Sequence, residues 1–554
     1  MALLAKHGGL YSFLDPAVVQ TRLTALMADG TPETQERISR IAAAAQAVAT
    51  SYFYKLVPEQ PYAITAEIMS FLTEPGRTNG VMYDTGEQPN MDIPAVFTFV
   101  GQFVDHDLTF NPMNLDMAEG DTVMDAASPI IDLDNVYGPR TFPTTVHPSL
   151  FDDEGRFCLR PFPCPHAFDG TAYDVCRDET DAAFIFDPRN DENQLVLQVH
   201  LLIMRLHNAI IDNTPLLNQL LDRAGNPEGV QARIEVVRRE VVATWQSVLL
   251  NDYLPKIVDP VVLRWVIEQV HLPLHGALKH KPRTYTDPVS GNTVTAVKMP
   301  HEFAIAFRMG HSMLRPAYEL YADAIVVLFK DAQISSKIVV YDEKGRPHDV
   351  SGADDLRGGR SLTCEHALDW DVFYPKEPDP EHSSMLIDHR ITARVFNLPT
   401  SAIPDQFPFI SNLAHRNLLR STEIGITSGE ELAQFYCIDP LTPEQVLEGH
   451  DTEAVRCLFT ADGGEFKTPL WYYILKEAEL MSAGGHRLGS LGSRLMAEVI
   501  VGAIFYANEY AFKGTWASAI TGENVVMLRD ILQYVRDHPA ADDFRGCPDP
   551  PAGS

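Results

Sequence analysis

GQFVDHDLTF, residues 101–110, is the stretch on which the reading of this chain turns. Gln102, Asp105 and His106 are spaced i, i+3 and i+4, so on a helix they share one face. Val96, Phe99, Val100, Phe103 and Val104 form an apolar stripe beside them, which predicts a helix from Met91 onward, with Asp92 as its cap and Pro94 in its first turn. An amide, a carboxylate and an imidazole next to such a stripe point partly inward, and buried polar groups need partners. Asp107 points elsewhere. Further along, DPRNDEN (187–193) opens a second helix, from Asp191 to about Asn213, and makes Arg189 and Glu192 i, i+3 neighbours. A third helix, about Pro300 to Leu314, holds AFRMGHSMLRP (306–316). There His311 follows Gly310, and a small residue beside a histidine lets a flat group approach the backbone. Taken singly, each segment reads equally as a hydrogen-bonded core histidine or a surface ion pair at a helix start.

Around these segments the chain reads as mostly helix with long irregular connections. Residues 111–190 are rich in Pro, Asp and Gly, and loops of that length usually carry a ligand or an ion. Residues 340–380 are polar and expected at the surface. Helical patterns return from Thr468 to about Phe512, broken at GGHRLGSLGS, and from about Glu523 to Val535. Strand-like runs are few: Ala324–Phe329 and Lys337–Tyr341. Of 554 residues, 45% are hydrophobic and 21% charged, enough to bury an extensive core. The 75 acidic against 44 basic residues give a formal net charge of -31. Such a surface repels phosphate backbones, which argues against nucleic-acid binding. The start, MALLAKHGGLYSFLDP, lacks the pattern of a Sec signal peptide, and the late apolar run Val499–Ala507 is too short to span a bilayer. A soluble protein is expected, cytoplasmic or exported by a non-Sec route. The seven cysteines are scattered, with no CxxC pair to suggest zinc. Reduced thiols are the default expectation, with a Cys158–Cys164 or Cys158–Cys176 disulfide as the alternatives.

Together the three segments resemble the peroxidase–cyclooxygenase superfamily, the animal haem peroxidases and their bacterial relatives. GQFVDHD matches the family's distal motif, Arg189 and Glu192 its catalytic segment, and Phe307–His311 its proximal FRxGH motif. NLLRSTEIG, Asn417–Gly425, keeps the Asn, Arg and Gly of a fourth motif but loses its RDH. TPLWYYILKEAE and LGSLGSRLMAEVIVG look like the family's late helices. The resemblance spans roughly residues 91–535, and four ordered motifs are far less open to coincidence than one.

The fold this implies is mainly α, a haem peroxidase-like helical domain with long loops and few short strands. It would occupy residues 91–540, with an N-terminal extension (1–90) packed on it and a C-terminal tail (541–554). The implied cofactor is haem b, with His311 as the proximal iron ligand. Asn417 would accept the other ring N–H, and Arg420 would pair with a haem propionate. The implied reaction is reduction of hydrogen peroxide or an organic hydroperoxide with oxidation of a small-molecule donor. His106 would move the peroxide proton to the leaving oxygen, Arg189 would stabilise the charge that develops, and Gln102 would hold distal water or substrate. Asp105 and Glu192 match the positions that form haem esters in the family. Asn193 stands where some members carry a sulfonium-forming Met, a bond an amide cannot make. The resemblance also implies Ca²⁺, held by Asp107 and the loop SPIIDLD through Ser128, the Ile130 carbonyl, Asp132 and Asp134, a hard-oxygen set suited to that ion. Two other readings remain at this stage. One is a fatty-acid dioxygenase of the same superfamily, although such members carry a Tyr three residues before the proximal His, where this chain has Arg308. The other is a haem-bearing adhesion or structural protein of low activity.

Overall fold

The structure is a computed structural model. It describes residues 53–74, 80–109, 129–138, 150–168, 170–281, 283–286, 293–296, 298–330, 339–341, 347–349, 355–398, 411–460, 464–507 and 516–539. The fold is mainly α, as expected. Among the described residues the strands are short and paired only two by two.

Eight helices frame the interior: α1 (Val96–Leu108), α2 (Gln194–Asp212), α3 (Val230–Val248), α4 (His301–Ala306), α5 (Leu413–Ile424), α6 (Leu470–Met481), α7 (Ser490–Ala507) and α8 (Leu528–Asp537). Helix α2 packs against α1, α3 and α8, while α6 packs against α4, α5 and α7. Both central helices are buried on almost every side. Each Leu, Ile or Val so enclosed contributes about 1.5–3 kcal/mol. Helices α2 and α7 are long and apolar enough to cross a membrane, but most of each is buried within the protein.

Local chemistry moves several boundaries from their expected places. The chain from Pro89 to Pro94 is a strand, paired antiparallel with Ser383–Met385. Pro94 favours extended backbone at Ile93, and Ala95 donates to the His382 carbonyl. Helix α1 therefore starts at Val96, and Asp92 does not cap it; Asp92 instead pairs with His486 and Arg487. DPRNDEN is not the first turn of α2 but a separate 3₁₀ turn, Pro188–Asp191, capped by Asp187. Asn193 then caps α2, its side chain accepting from Leu195 and Val196 N–H. The third helix divides in the same way: α4 ends at Ala306, and Phe307–His311 is a 3₁₀ turn packed on α1, α4 and α6.

The stretch read as surface between 340 and 380 is mixed where described, with Glu365, Asp371, Lys376 and Glu377 exposed but apolar anchors turned inward. Leu356, Leu362, Leu368, Trp370 and Phe373 are buried. Its charged residues bond to one another, with Asp355 holding Arg357 and Arg360, which lets a polar sequence turn inward. Neither expected disulfide forms: Cys158 and Cys164 are free thiols, while Cys176 is disulfide-bonded to neither of them. Most of the N-terminal extension and all of the C-terminal tail lie outside the described residues.

Candidate active site

Helix α1 carries Gln102, Asp105 and His106 on one face, against the 188–192 turn. Gly101, beside them, lets α1 approach Tyr253 from another segment: a Cβ there would stand 2.7 Å from the Tyr253 hydroxyl. His106 is buried, and its Nδ1 donates to Asn190 Oδ1 at 2.8 Å. The Asn190 amide in turn donates to the Asn135 carbonyl and to His200 Nδ1. Burial lowers the His200 pKa to about 3, so its ring is neutral and can accept. This chain fixes the proton of neutral His106 on Nδ1 and leaves Nε2 as the basic nitrogen. Nε2 lies 4.0 Å from Glu192 Oε2.

Arg189 is held by several groups. Its Nε and Nη2 donate to Asp187, its Nη2 also to the His106 carbonyl at 2.8 Å, and its Nη1 to Thr109 Oγ1. The guanidinium thus ties the 3₁₀ turn to the last turn of α1. Gln102 bridges the same two elements, donating to Glu192 Oε2 at 3.3 Å and accepting from Asn193 at 2.9 Å. The Asp105 carboxyl titrates above its ordinary value because burial disfavours its charge and Glu192 adds repulsion, against the pull of Arg189 and Arg308.

On the opposite side His311 ends the 307–311 turn, with Trp471 edge-on to its ring. Asn417 from α5 is fully buried and meets His311, but not as expected. Its Nδ2 lies 2.8 Å from His311 Nδ1, while its Oδ1 accepts from Arg308 Nη1 at 2.8 Å. A guanidinium can only donate, so Arg308 takes the carbonyl end of the amide and leaves the NH₂ for the ring. As placed, His311 Nδ1 accepts, which puts the ring proton on Nε2. Arg420, one turn beyond Asn417, is buried.

A recess of open space borders the His311 turn: a Cβ added to Gly310 would meet nothing within 4 Å, and Asp105 and Arg308 are each partly accessible between buried chain neighbours. Arg308 Nε is buried with no hydrogen-bond partner among the described residues. Burial and the nearby Arg189 lower the Arg308 pKa, while burial and Arg308 lower that of Arg416 to about 10. An interior rich in guanidinium groups, with open space beside a histidine, fits a flat dianionic group such as haem. Arg308 and Arg416 were not singled out as binding residues in the sequence, because their partners come from distant segments.

The expected calcium residues are only partly assembled. Asp107 and Asp132 are buried, and burial first, then the Asp132 charge, raises the Asp107 pKa. Asp107 Oδ2 accepts from Leu133 N–H, whereas Oδ1 is buried without a hydrogen-bond partner among the described residues. Leu133 has φ 60°, which turns the loop sharply between Asp132 and Asp134. Asp134 bonds to Arg238 from α3 at 3.1 Å, and that guanidinium also donates to the Asp132 carbonyl. Ile130 lies at the loop's start, and Ser128 lies outside the described residues.

Residues 118–355 match the family model of the animal haem peroxidases. This part of the chain is thus similar to the animal haem peroxidases, in line with the motif resemblance to the peroxidase–cyclooxygenase superfamily. The match takes in Arg189, Glu192 and His311; His106 and Asn417 fall outside it. Among solved structures, peroxidase A of Dictyostelium discoideum aligns at 14% identity over 89% of this chain and 91% of its own, with a TM-score of 0.46. A fatty acid alpha-dioxygenase of Oryza sativa aligns at 12% identity over 82% and 74%, with a TM-score of 0.46. One of Arabidopsis thaliana aligns at 12% over 94% and 88%, with a TM-score of 0.47. No curated protein matches the sequence.

Proposed function

We propose that this chain is a haem-dependent peroxidase that reduces hydrogen peroxide, or an organic hydroperoxide, at the expense of a small-molecule donor, and acts as a soluble protein. The observation that carries the reading is the assembly of His106, Arg189, Gln102 and Glu192 on one side of a recess whose other side holds His311 and Asn417.

His311 would hold haem b at its iron, and Arg308, Arg416 and Arg420 would meet its propionates; bound there, the group would supply a Lewis-acidic, redox-active centre. His106 Nε2 accepts a proton from the peroxide and returns it to the departing oxygen. Asn190 keeps the other nitrogen protonated throughout, so the proton has one route. Arg189 places a fixed positive charge where negative charge develops. Gln102 positions water or peroxide between the imidazole and Glu192. On the other side Nδ1 of His311 must carry the proton for Nε2 to bind a metal. The Asn417 amide would then have to turn its oxygen from Arg308 to the ring, which would make the ligand more basic and free Arg308 for a haem propionate.

Asp105 and Glu192 sit where ester links to the cofactor are expected. Their test is acid–organic extraction after peroxide treatment, followed by mass spectrometry of a digest. Haem retained in the parent and released in an Asp105→Ala, Glu192→Ala double variant supports the links; complete extraction from the parent removes them from the account. Calcium, coordinated by Asp107, Asp132 and the Ile130 carbonyl, with Ser128 as a further ligand, would anchor the start of this loop to α1. Asp134 contributes through Arg238.

The dioxygenase reading is disfavoured by Arg308, which occupies the place of the radical-forming Tyr and is engaged with Asn417. Two assays on the same haem-loaded protein separate the readings: peroxide-dependent oxidation of a phenol, and oxygen uptake with a long-chain fatty acid. Peroxidase function predicts the first and no fatty-acid-dependent uptake. Uptake without phenol oxidation would overturn it.

A further inference from the structure

Away from this recess, three potential ligands converge from two distant parts of the chain. Cys164 follows the first strand of a hairpin (Leu159–Pro163 with Thr171–Val175), and His166 lies in its turn. Cys364 arrives from a segment two hundred residues later. His166 Nδ1 is 3.7 Å from the Cys164 sulfur and 3.9 Å from that of Cys364, and the sulfurs are 2.7 Å apart. The three residues offer ligand atoms that all lie within 4.8 Å of one another.

Three details suit a metal rather than a packed thiol pair. His166 Nε2 lies 3.0 Å from the Ala367 carbonyl, to which it can donate, and 3.2 Å from the Cys164 sulfur, which leaves Nδ1, within 3.9 Å of both sulfurs, as the nitrogen free to bind an ion. Metal-bound histidines commonly use their second nitrogen in this way. The His166 ring is stacked on Tyr321 with centroids 3.9 Å apart, which fixes its direction. The backbone N–H groups of His166 and Ala167 both point to the Cys164 sulfur, the donors that a thiolate needs.

We propose that Cys164, His166 and Cys364 bind one zinc ion through two thiolates and Nδ1, with the fourth position left to water. Zinc–sulfur bonds of about 2.3 Å at tetrahedral angles place the sulfurs about 3.7 Å apart, so binding opens the pair by about an ångström. The ion joins the hairpin to the segment that clasps the distal turn. In that segment the Leu356 carbonyl accepts from Gln194 N–H, while Gly358 and Gly359 N–H donate to the Glu192 and Asp191 carbonyls. The site is independent of the haem reading.

The test uses the full chain, haem-loaded, reduced with a phosphine and dialysed against zinc chloride. One zinc per chain is expected by elemental analysis, with two sulfur and one nitrogen neighbours in zinc-edge X-ray absorption. Bound zinc should protect Cys164 and Cys364 from alkylation while the exposed Cys437 and Cys457 react, a readout that needs no variant. Cys164→Ser and Cys364→Ser should each lose the stoichiometric ion, and Cys437→Ser should keep it. The proposal is overturned if the reduced protein takes up no zinc, if the ion survives in Cys164→Ser and Cys364→Ser, or if a Cys164–Cys364 disulfide re-forms in the presence of zinc.

Discussion

His106 owes its chemistry to residues that its own motif does not contain. Asn190 and His200 stand 84 and 94 positions away in sequence and decide which ring nitrogen is basic. That support carries its own pH signature. The His200 pKa falls to about 3 on folding because the ring is buried, whereas in the unfolded chain it titrates near 6.5. A depressed histidine contributes stability that is present above about pH 6.5 and lost as the pH falls toward 3. Relative to a His200→Gln variant, the parent should lose about 2 kcal/mol of unfolding free energy between pH 7 and pH 5. Urea titrations at the two pH values measure this; parallel pH dependence in both proteins would mean that His200 is not held neutral. At this scale the sequence disclosed the side chains that sit on one local turn, since i, i+3 and i+4 spacing needs no tertiary information. Gln102, Asp105 and His106 were legible for that reason. Asp187, Asn190, Arg238 and Arg308 were not, because each acts on a residue brought close only by the fold. The competing claim of Arg308 on the Asn417 oxygen was not legible either, since it is a tertiary fact.

Elements position these residues through close backbone contact. The 188–192 turn is held between α1 and the segment 355–359, and Gly358 makes the second contact possible. A Cβ there would lie 1.7 Å from the Asp191 carbonyl oxygen. Gly358→Ala should therefore cost about 2 kcal/mol of stability. It should also slow peroxide turnover by displacing Glu192; thermal denaturation and turnover, measured together, check this, and an unchanged pair of values would mean that the segment does not brace the turn. The proposed calcium loop makes a similar claim for the last turn of α1. Asp107→Ala, or chelation, should remove one calcium per chain and lower the melting temperature while leaving the optical signature of the His311 side intact. Active parent protein with no calcium by elemental analysis would exclude the ion. The element types were legible from periodicity, but their ends were not. Pro94 turned an expected helix start into a strand, Asn193 moved the start of α2 past the catalytic turn, and the 340–380 stretch hid its buried anchors among charges that neutralise one another.

Over the whole molecule, both signs of charge are buried: Asp107, Asp132, Glu477 and Glu498 among the acids, and Arg189, Arg416 and Arg420 among the bases. Buried guanidinium groups need anionic partners; Asp187 is one for Arg189, and the propionates of the proposed haem would add to those near Arg416 and Arg420. The formal net charge of -31 gave no hint of this, because composition does not say which charges are buried. The mainly-α class was legible because long apolar helices such as α2 and α7 dominate the core. The central claim is that one face of the recess binds haem through His311 and the other processes peroxide through His106. It is tested most directly by rapid-mixing optical spectra of the haem-loaded parent, His106→Ala and His311→Ala proteins with hydrogen peroxide. The account predicts a fast change in the parent's haem absorption and the same starting spectrum but a reaction about 10²–10⁴-fold slower in His106→Ala. His311→Ala should lose the histidine-ligated spectrum before any peroxide is added. A His106→Ala protein that reacts at the parental rate, or a His311→Ala protein with an unaltered spectrum, would contradict it.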